Sequence, residues 1–290
     1  MKYAFMANHE KEFSVKRMCH VLGVQRSGYY AWKNRAPSWR TLANEDLTKH
    51  IREAFDICRK VYGSPRIRQY LRGKGYSCGR NRVARLMKQA HLVAKRAYRH
   101  HPQTTKQSFG ARIAPNLLDQ DFSASGPNEK WVGDITYIDT AEGWLYLASI
   151  MDLYSRRIVG WSMADRMDVK LVENAWNMAV TQRHPSSSLL HHTDRGSQYT
   201  SETYRSLLAA KRIKVSMSGT GNCYDNAAIE SFHATLKGEC AFKQFKSKSE
   251  AKNILFEYIE SWYNRQRLHS SLGYQSPSDF EQKRDINRVH

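Results

Sequence analysis

Three acidic residues that lie far apart along the chain are of a type and spacing that could do chemistry together. Asp134 lies inside an apolar, strand-like run, Asp194 ends another apolar run, and Glu230 follows in a helix-like run after 35 intervening residues. A carboxylate flanked by bulky apolar residues is costly unless a cation or hydrogen bonds compensate it. The pattern therefore predicts one metal-binding cluster, which points to chemistry on phosphodiester bonds and to an enzyme that processes nucleic acid.

The expected metal is Mg²⁺ or Mn²⁺, because hard carboxylate oxygens select these ions. Two ions ~3.5–4 Å apart could clamp the attacking and leaving oxygens of an in-line phosphoryl transfer. We expect Asp134 to bridge both ions, with Asp194 and Glu230 holding one each. Without metal the three negative charges repel one another, so at least one of the three pKa values should rise.

The helix expected from about residue 224 places four polar residues on one face. Asn226, Glu230, His233 and Lys237 follow the spacing i, i+4, i+7, i+11. The other side of the helix is apolar and consists of Ala228, Ile229, Phe232 and Leu236. We predict that Asn226, His233 and Lys237 contact DNA beside Glu230, with Lys237 placed to meet a phosphate. A solvated helix face is the alternative.

Other polar residues near these positions have simpler interpretations. Asp152 ends a strand and is interpreted as a turn residue or as the ion-pair partner of an arginine. Asp225 is interpreted as a helix N-cap, and Glu239 lies near a helix end. His192 and Ser197 flank the second carboxylate and could position substrate, although His192 could equally be a buried strand histidine.

The elements that must position the carboxylates begin near Lys130. Three β-rich runs are joined by turns short enough to favour an antiparallel meander: 131–138, 143–151 and 156–163. Helices and strands then alternate: a helix near 168–182, a strand near 188–193, a helix near 201–210 and a strand near 213–218. This order is typical of an α/β ribonuclease H-like core, a mixed sheet flanked by helices. A last helix is expected at about 247–264.

The first third of the chain differs from the rest in charge. Through Gly110 it holds 24 Lys and Arg against 6 Asp and Glu, whereas the remainder holds 22 against 21. Residues 14–33 have a helix-turn-helix pattern, which is repeated on a larger scale over 45–93. We therefore predict an all-α, DNA-binding region, in which Arg80, Arg82 and Arg85 contact phosphates. A highly soluble basic domain is the alternative.

These patterns divide the chain into five regions. They are a helix-turn-helix-like segment (1–40), a basic helical DNA-binding domain (41–96), a linker (97–128), the ribonuclease H-like catalytic core (129–242), and a C-terminal helix with a basic tail (243–290). The adjacent histidines at 100 and 101 are interpreted as part of a solvated linker. Arg265 and Arg267 follow the last helix and are predicted to contact DNA, with simple solvation as the alternative.

Composition excludes several classes of protein. A hydrophobic content of 41% and an aromatic content of 11% are those of a globular protein rather than a disordered one. The five cysteines are odd in number and form no Cys-x-x-Cys pair, so neither a disulfide framework nor a zinc site is expected. No signal-peptide core is visible, and no apolar run approaches the ~18 residues of a membrane span. A cytoplasmic location without membrane contact is predicted.

Three motifs carry a resemblance to a known family. The runs Trp131–Tyr137, His192–Tyr199 and Asp225–Phe232 resemble the motifs of bacterial insertion-sequence transposases of the OrfB type, which have a retroviral-integrase-like core with a DD(35)E triad. The segment from Tyr263 through Pro277 resembles the C-terminal segment of that family. The likeness covers nearly the whole chain.

The resemblance implies that Asp134, Asp194 and Glu230 are the metal-binding catalytic triad and that Lys237 is the basic residue seven positions beyond the glutamate. It implies Mg²⁺-dependent cleavage and strand transfer of DNA, with the element's terminal inverted repeats and a target DNA as partners, by a copy-out, paste-in route. It further implies an OrfA or fused OrfAB partner, a homo-oligomer on DNA, and a location at the bacterial nucleoid.

Two other functions are left open by the residues alone. A simple ribonuclease H-like nuclease would hydrolyse DNA or an RNA–DNA hybrid but would never join strands. A non-catalytic DNA-binding regulator of the fused transposase would need no metal, which three intact carboxylates disfavour.

Overall fold

The N-terminal residues form a small three-helix unit. The computed structural model describes residues 1–95, 113–219, 223–241 and 244–288. The first three helices are α1 (Lys2–Asn8), α2 (Val15–Leu22) and α3 (Arg26–Lys33). Gly23 ends α2 with a φ of 62°, a left-handed conformation that glycine adopts without steric cost. The predicted helix-turn-helix is thus present, and α1, which the sequence pattern did not predict, packs against it around a core of its own: Met6, Met18, Cys19 and Tyr29.

Three longer helices follow, as the repeated apolar pattern predicts. They are α4 (Trp39–Ile57), α5 (Ser64–Gly73) and α6 (Arg80–Gln89). Helix α4 begins earlier than expected because the Ser38 hydroxyl accepts a hydrogen bond from the Thr41 N–H and caps the helix. Ile51, Ile67 and Val83, one from each helix, are fully buried and hold the three helices together.

A five-stranded mixed sheet forms the centre of the molecule. Its strands are β1 (Lys130–Thr140), β2 (Gly143–Asp152), β3 (Ile158–Ala164), β4 (Leu190–Thr193) and β5 (Lys214–Met217). Their spatial order is β3-β2-β1-β4-β5. β1, β2 and β3 pair antiparallel, whereas β4 pairs parallel to β1 and β5 parallel to β4. The predicted ribonuclease H-like arrangement is therefore confirmed.

Helices cover both faces of this sheet. They are α7 (Val169–Arg183), α8 (Ser197–Thr200), α9 (Glu202–Ala210), α10 (Ala227–Glu239), α11 (Lys248–Glu257) and α12 (Pro277–Arg288). Helix α7 packs on β2 and β3, while α10 and α11 pack on β1. The predicted last helix at 247–264 is α11 continued by a π-helical segment, Tyr258–Tyr263. Among the described residues, none of the helices has the length and apolar character needed to cross a bilayer.

The predicted linker is only partly a connector. Residues 97–112, including the two histidines, lie outside the described residues. The remainder packs against the sheet, because Leu118 is buried and the backbone N–H groups of Leu117 and Leu118 donate to the Ser216 hydroxyl at 2.8 and 3.2 Å. Residues 113–128 therefore belong to the folded body.

The basic helices α4–α6 share a hydrophobic core with the C-terminal segment. Buried residues of both regions belong to one continuous cluster. The rings of Tyr62 and Trp262 lie 5.6 Å apart, and the Leu268 N–H donates to the Tyr62 hydroxyl at 2.6 Å. The region 41–96 is thus packed against the α/β body by apolar contacts.

Candidate active site

The strand register brings two of the three predicted carboxylates together. Parallel pairing of β1 with β4 ends at Gly133 opposite Thr193. Asp134 directly follows Gly133, and Asp194 directly follows Thr193. Paired strands are about 4.8 Å apart. The two carboxylates are therefore neighbours although they are 60 positions apart in sequence.

The environment of Asp194 disfavours its charge. Burial, followed by the negative charge of Asp134, raises the pKa of Asp194 to about 6, while a hydrogen bond from the Gly196 N–H acts in the opposite direction. That N–H lies 2.9 Å from Asp194 Oδ1 and fixes the carboxylate. The predicted rise in pKa is thus found at Asp194, where burial is the first cause and the charge of Asp134 the second.

Asp134 is oriented from two sides. Its Oδ1 accepts from the Ile135 N–H at 2.8 Å, and its Oδ2 lies 3.3 Å from Nδ1 of His233 on α10. The other ring nitrogen of His233, Nε2, shares a 2.7 Å hydrogen bond with the Ser149 hydroxyl. Ser149 is the β2 partner of Asp134 in the antiparallel register. A Ser149–His233–Asp134 chain therefore joins β2, α10 and β1.

Glu230 lies in the first turn of α10 and is exposed. It precedes His233 by three residues, so the two side chains share one face of the helix. His233 contacts Asp134, so Glu230 lies about one helical turn along α10 from the residue that touches the aspartate pair. Within the described ranges, no group of three or more His, Cys, Asp or Glu side chains lies close enough together to hold a metal ion. The structure brings together Asp134 and Asp194 and places Glu230 on the adjoining helix.

Lys237 continues the same face of α10. Its Nζ lies 4.2 Å from the ring centre of Tyr137, which is on β1 three residues beyond Asp134. Burial lowers the pKa of Lys237, and the charge of Asp134 partly opposes that shift. The predicted common face of Glu230, His233 and Lys237 is therefore the face that α10 turns toward β1.

Two residues predicted to contact DNA from this helix are instead buried. Asn226 is 5% exposed and His233 is 6% exposed. His233 is engaged by Asp134 and Ser149, so we reassign it from DNA contact to positioning of Asp134. Asp225 is not the N-cap of α10, since its Oδ2 accepts from the Gly219 N–H and the Asn116 amide at 2.7 and 3.0 Å.

Arg267 is corrected from a DNA contact to a structural ion pair. It is 4% exposed, and its guanidinium binds both oxygens of Glu239 at 2.7 to 3.0 Å. Arg82 is half-buried and joins α6 to α4 by donating to the Asn44 side chain at 2.9 Å and the Ala43 carbonyl at 3.1 Å. An arginine in a polar stretch of sequence suggests solvent exposure, and neither acceptor is visible from local spacing.

Arg80, Arg85 and Arg265 are exposed, as a contact with DNA requires. Their contacts with DNA remain predictions.

The interpretation of Asp152 as an ion-pair partner is confirmed. It is fully buried, and its Oδ2 lies 3.2 Å from the Arg183 guanidinium. Arg183 also binds Glu281 of α12 at 2.9 Å, a residue that sequence reasoning missed because no local pattern links these positions. His192 is a buried strand histidine that bonds to two serine hydroxyls, whereas Ser197 is exposed at the start of α8.

Comparison with known proteins agrees with this geometry. Residues 124–223 and 211–277 match models of an integrase core domain, and residues 42–100 match an HTH-like domain. The transposase InsF for insertion sequence IS3A of Escherichia coli (strain K12) is 43% identical over 286 residues, which cover 98% of this chain and 99% of that protein. The chain belongs to the IS3 family of insertion-sequence transposases.

One further insertion-element protein and one solved structure are also similar to the chain. The insertion element IS600 uncharacterized 31 kDa protein of Shigella sonnei is 45% identical over 267 residues, which cover 92% of this chain and 98% of that protein. The cryo-EM structure of a simian T-cell lymphotropic virus intasome with PP2A regulatory subunit B56 gamma is 14% identical, with a TM-score of 0.46 over 76% of this chain and 70% of that chain. As an IS3 family transposase, the chain is a polynucleotidyl transferase that acts on DNA.

Proposed function

We propose that this transposase cleaves DNA at the ends of an insertion sequence and joins those ends to target DNA, with Asp134, Asp194 and Glu230 as its catalytic residues. The observation that carries the proposal is the adjacency of Asp134 and Asp194, each of which directly follows the last residue pair that joins β1 to β4. The raised pKa of Asp194, caused by burial and then by Asp134, supports a site that a cation would complete.

The donor set fits a divalent cation. Two carboxylates side by side repel each other, and oxygen ligands of this kind suit Mg²⁺ or Mn²⁺. Asp134, Asp194 and Glu230 would be the residues that hold the cation. Bound ions would supply stabilisation of the charge on the attacking and leaving oxygens. Glu230 completes the set from α10.

The protein's own groups prepare this site. The Gly196 N–H fixes one oxygen of Asp194, and His233 fixes one oxygen of Asp134. Lys237 brings a partly buried cation to the same face of α10, where it favours the approach of a DNA phosphate. These contacts reduce the reorganisation that substrate binding requires.

The surface contacts with DNA are proposed to include Arg80 and Arg85 of α6 and Arg265 after the π-helical segment. All three are exposed, and the first two lie in the strongly basic third of the chain. Lysine and arginine contacts with phosphates supply affinity that does not depend on sequence. By likeness to the family, we further propose that an OrfA or OrfAB product of the same element recognises the specific ends and that the transposase assembles as a homo-oligomer on DNA.

The test of the catalytic assignment is strand transfer by the full chain on DNA that carries the element's ends, with Mg²⁺ and the upstream partner product. Glu230→Gln should lower joining by more than about 100-fold, because a lost metal ligand removes several kcal/mol of transition-state stabilisation. Glu202→Gln is the matched control, since Glu202 is also an exposed glutamate in the first turn of a helix. Retained joining by Glu230→Gln would refute the triad.

Metal binding gives a second readout that is independent of activity. Mn²⁺ affinity should fall strongly in Asp134→Asn and remain unchanged in Asp139→Asn, an exposed aspartate on the same strand. Equal affinities in the two variants would contradict the site and favour a non-catalytic regulator. Cleavage by the wild type without any joining would instead indicate a simple nuclease.

A further inference from the structure

A charged cavity lies beside α10, next to a different stripe of the helix from the one that carries His233 and Lys237. Its volume is about 360 Å³, and Ala227, Ser231 and Thr235 of α10 form one wall. These residues are four apart and so define one stripe of the helix. Glu230 immediately precedes Ser231, so the helix that forms one wall of the cavity also carries the third proposed carboxylate.

The cavity is positively charged. Arg66, Arg156 and Arg267 line it, together with His269 and the hydroxyls of several serines and a threonine. In the described part of the chain, its lining includes no acidic side chain. Burial first, and then the charges of these three arginines, lower the pKa of His269 to about 3, so this imidazole is neutral near pH 7 and can act as either donor or acceptor.

Arg156 is the arginine whose charge is not compensated. It is half-buried in the β2–β3 turn, and burial lowers the pKa of its guanidinium. Among the described residues no carboxylate lies within ion-pair distance of it, whereas the next residue, Arg157, pairs with Glu281 at 2.9 Å. A partly desolvated cation is costly unless an anion compensates it.

The backbone of Arg156 adopts a conformation that is unfavourable for most side chains. Its φ is 60°, in the left-handed region where a glycine or asparagine would be favoured. Nine other described non-glycine residues, Arg212 among them, share this conformation, so the support for a functional role comes from the uncompensated charge that lines the cavity.

The other two arginines are partly committed to the fold. Arg267 is bound to Glu239, and Arg66 donates its Nε–H to the Leu268 carbonyl at 3.1 Å. Their remaining N–H groups and their charge still contribute to the positive potential of the cavity. Arg156 is therefore the group placed to make the principal contact with a ligand.

We propose that this cavity binds a backbone phosphate of DNA, with Arg156 as the principal contact and Arg66 and the α10 hydroxyls as supporting contacts. Arginine matches phosphate oxygens with two parallel hydrogen bonds. DNA is the fitting source of the phosphate because it is the substrate of the family, and because the cavity adjoins the helix that carries Glu230. The inference uses DNA as substrate and does not depend on the roles of the carboxylates.

The test measures DNA binding by the full chain in the presence of EDTA, so that no chemistry takes place. Arg156→Gln should weaken binding about tenfold or more and should lower the slope of log K against log salt by about 0.9, the loss of one phosphate contact. Arg156→Lys should be intermediate, because it keeps the charge but loses the fork. The matched control is Arg212→Gln: Arg212 is exposed and has a φ of 55°, so it loses the same charge at the same kind of backbone position.

Three outcomes would overturn the proposal. In the first, Arg156→Gln and Arg212→Gln weaken DNA binding equally. In the second, Arg156→Gln leaves the salt slope of DNA binding unchanged. In the third, Arg156→Gln weakens the binding of inorganic sulfate but leaves DNA binding unchanged. Unchanged far-UV circular dichroism and melting temperature will show that each variant is folded. If Arg156→Gln does not fold, Arg156→Lys against Arg212→Lys compares the loss of the paired guanidinium N–H groups alone, and equal DNA affinities of these two variants would overturn the proposal.

Discussion

The ion pair between Glu239 and Arg267 is expected to be a large single contribution to the stability of the C-terminal segment. The Glu239 carboxylate receives three N–H···O contacts from Arg267 at 2.7 to 3.0 Å, and it also accepts from the Tyr258 hydroxyl at 2.9 Å and the Trp262 indole at 3.2 Å. The side chains are 5% exposed for Arg267 and 10% for Glu239. Glu239→Gln keeps the shape of the side chain and leaves the guanidinium buried without its counter-charge.

Removal of one partner from a buried ion pair costs about 3–5 kcal/mol. Glutamine still offers one oxygen to Arg267, so we expect the lower end, about 3 kcal/mol, in the free energy of unfolding. Urea denaturation followed by tryptophan fluorescence and circular dichroism will measure it. The urea midpoint should fall while the slope m stays constant.

Glu257→Gln provides the control, because Glu257 also pairs with an arginine, Arg59, but its side chain is 60% exposed. An exposed pair contributes about 0–1 kcal/mol. If the two glutamine variants lose the same stability, the importance assigned to the buried pair is wrong. The double change Glu239→Leu with Arg267→Met should recover part of the loss, since it removes both buried charges together.

Two further predictions concern pH and packing. Burial lowers the pKa of His191 to about 3, and burial with nearby arginines lowers that of His269 to about 3, whereas both should titrate near 6.5 when unfolded. As pH falls below about 6.5, the unfolded chain binds protons before the folded chain does. Each histidine should therefore lower the free energy of unfolding by roughly 2 kcal/mol between pH 8 and pH 5. If the free energy of unfolding of His269→Gln depends on pH as strongly as that of the wild type, this prediction is wrong. Gly160→Ala should lower the free energy of unfolding by about 1–3 kcal/mol, because the added Cβ would lie 2.3 Å from a backbone carbonyl oxygen of α7. Gly73→Ala is the control and should stabilise α5 slightly, because its Cβ would meet no atom within 4 Å. Equal urea midpoints of the two variants would refute the packing argument.

Local pattern predicted the strands and most helices, because alternation and helical spacing are properties of neighbouring residues. The run around Asp134 is β1, and the last helix expected at about 247–264 begins as α11. The relation between Asp134 and Asp194 could be inferred only from their residue types, since strand register depends on the whole sheet. The burial of Arg267 could not be inferred, because its partner Glu239 lies 28 positions away on a different element. Helix α12 was missed as well, since its first residues have a mainly polar sequence.

The apolar cluster that unites α4–α6 with the C-terminal segment has a consequence for any attempt to divide the molecule. Tyr62 and Trp262, whose rings are in contact within it, would both be exposed to solvent by separation of the chain near residue 96. Each fragment would then expose a hydrophobic surface, so we expect the basic helices to aggregate when they are produced as a separate fragment. Because those helices share a core with the α/β body, the proposed DNA contacts of α6 would hold a fixed distance from the aspartate pair.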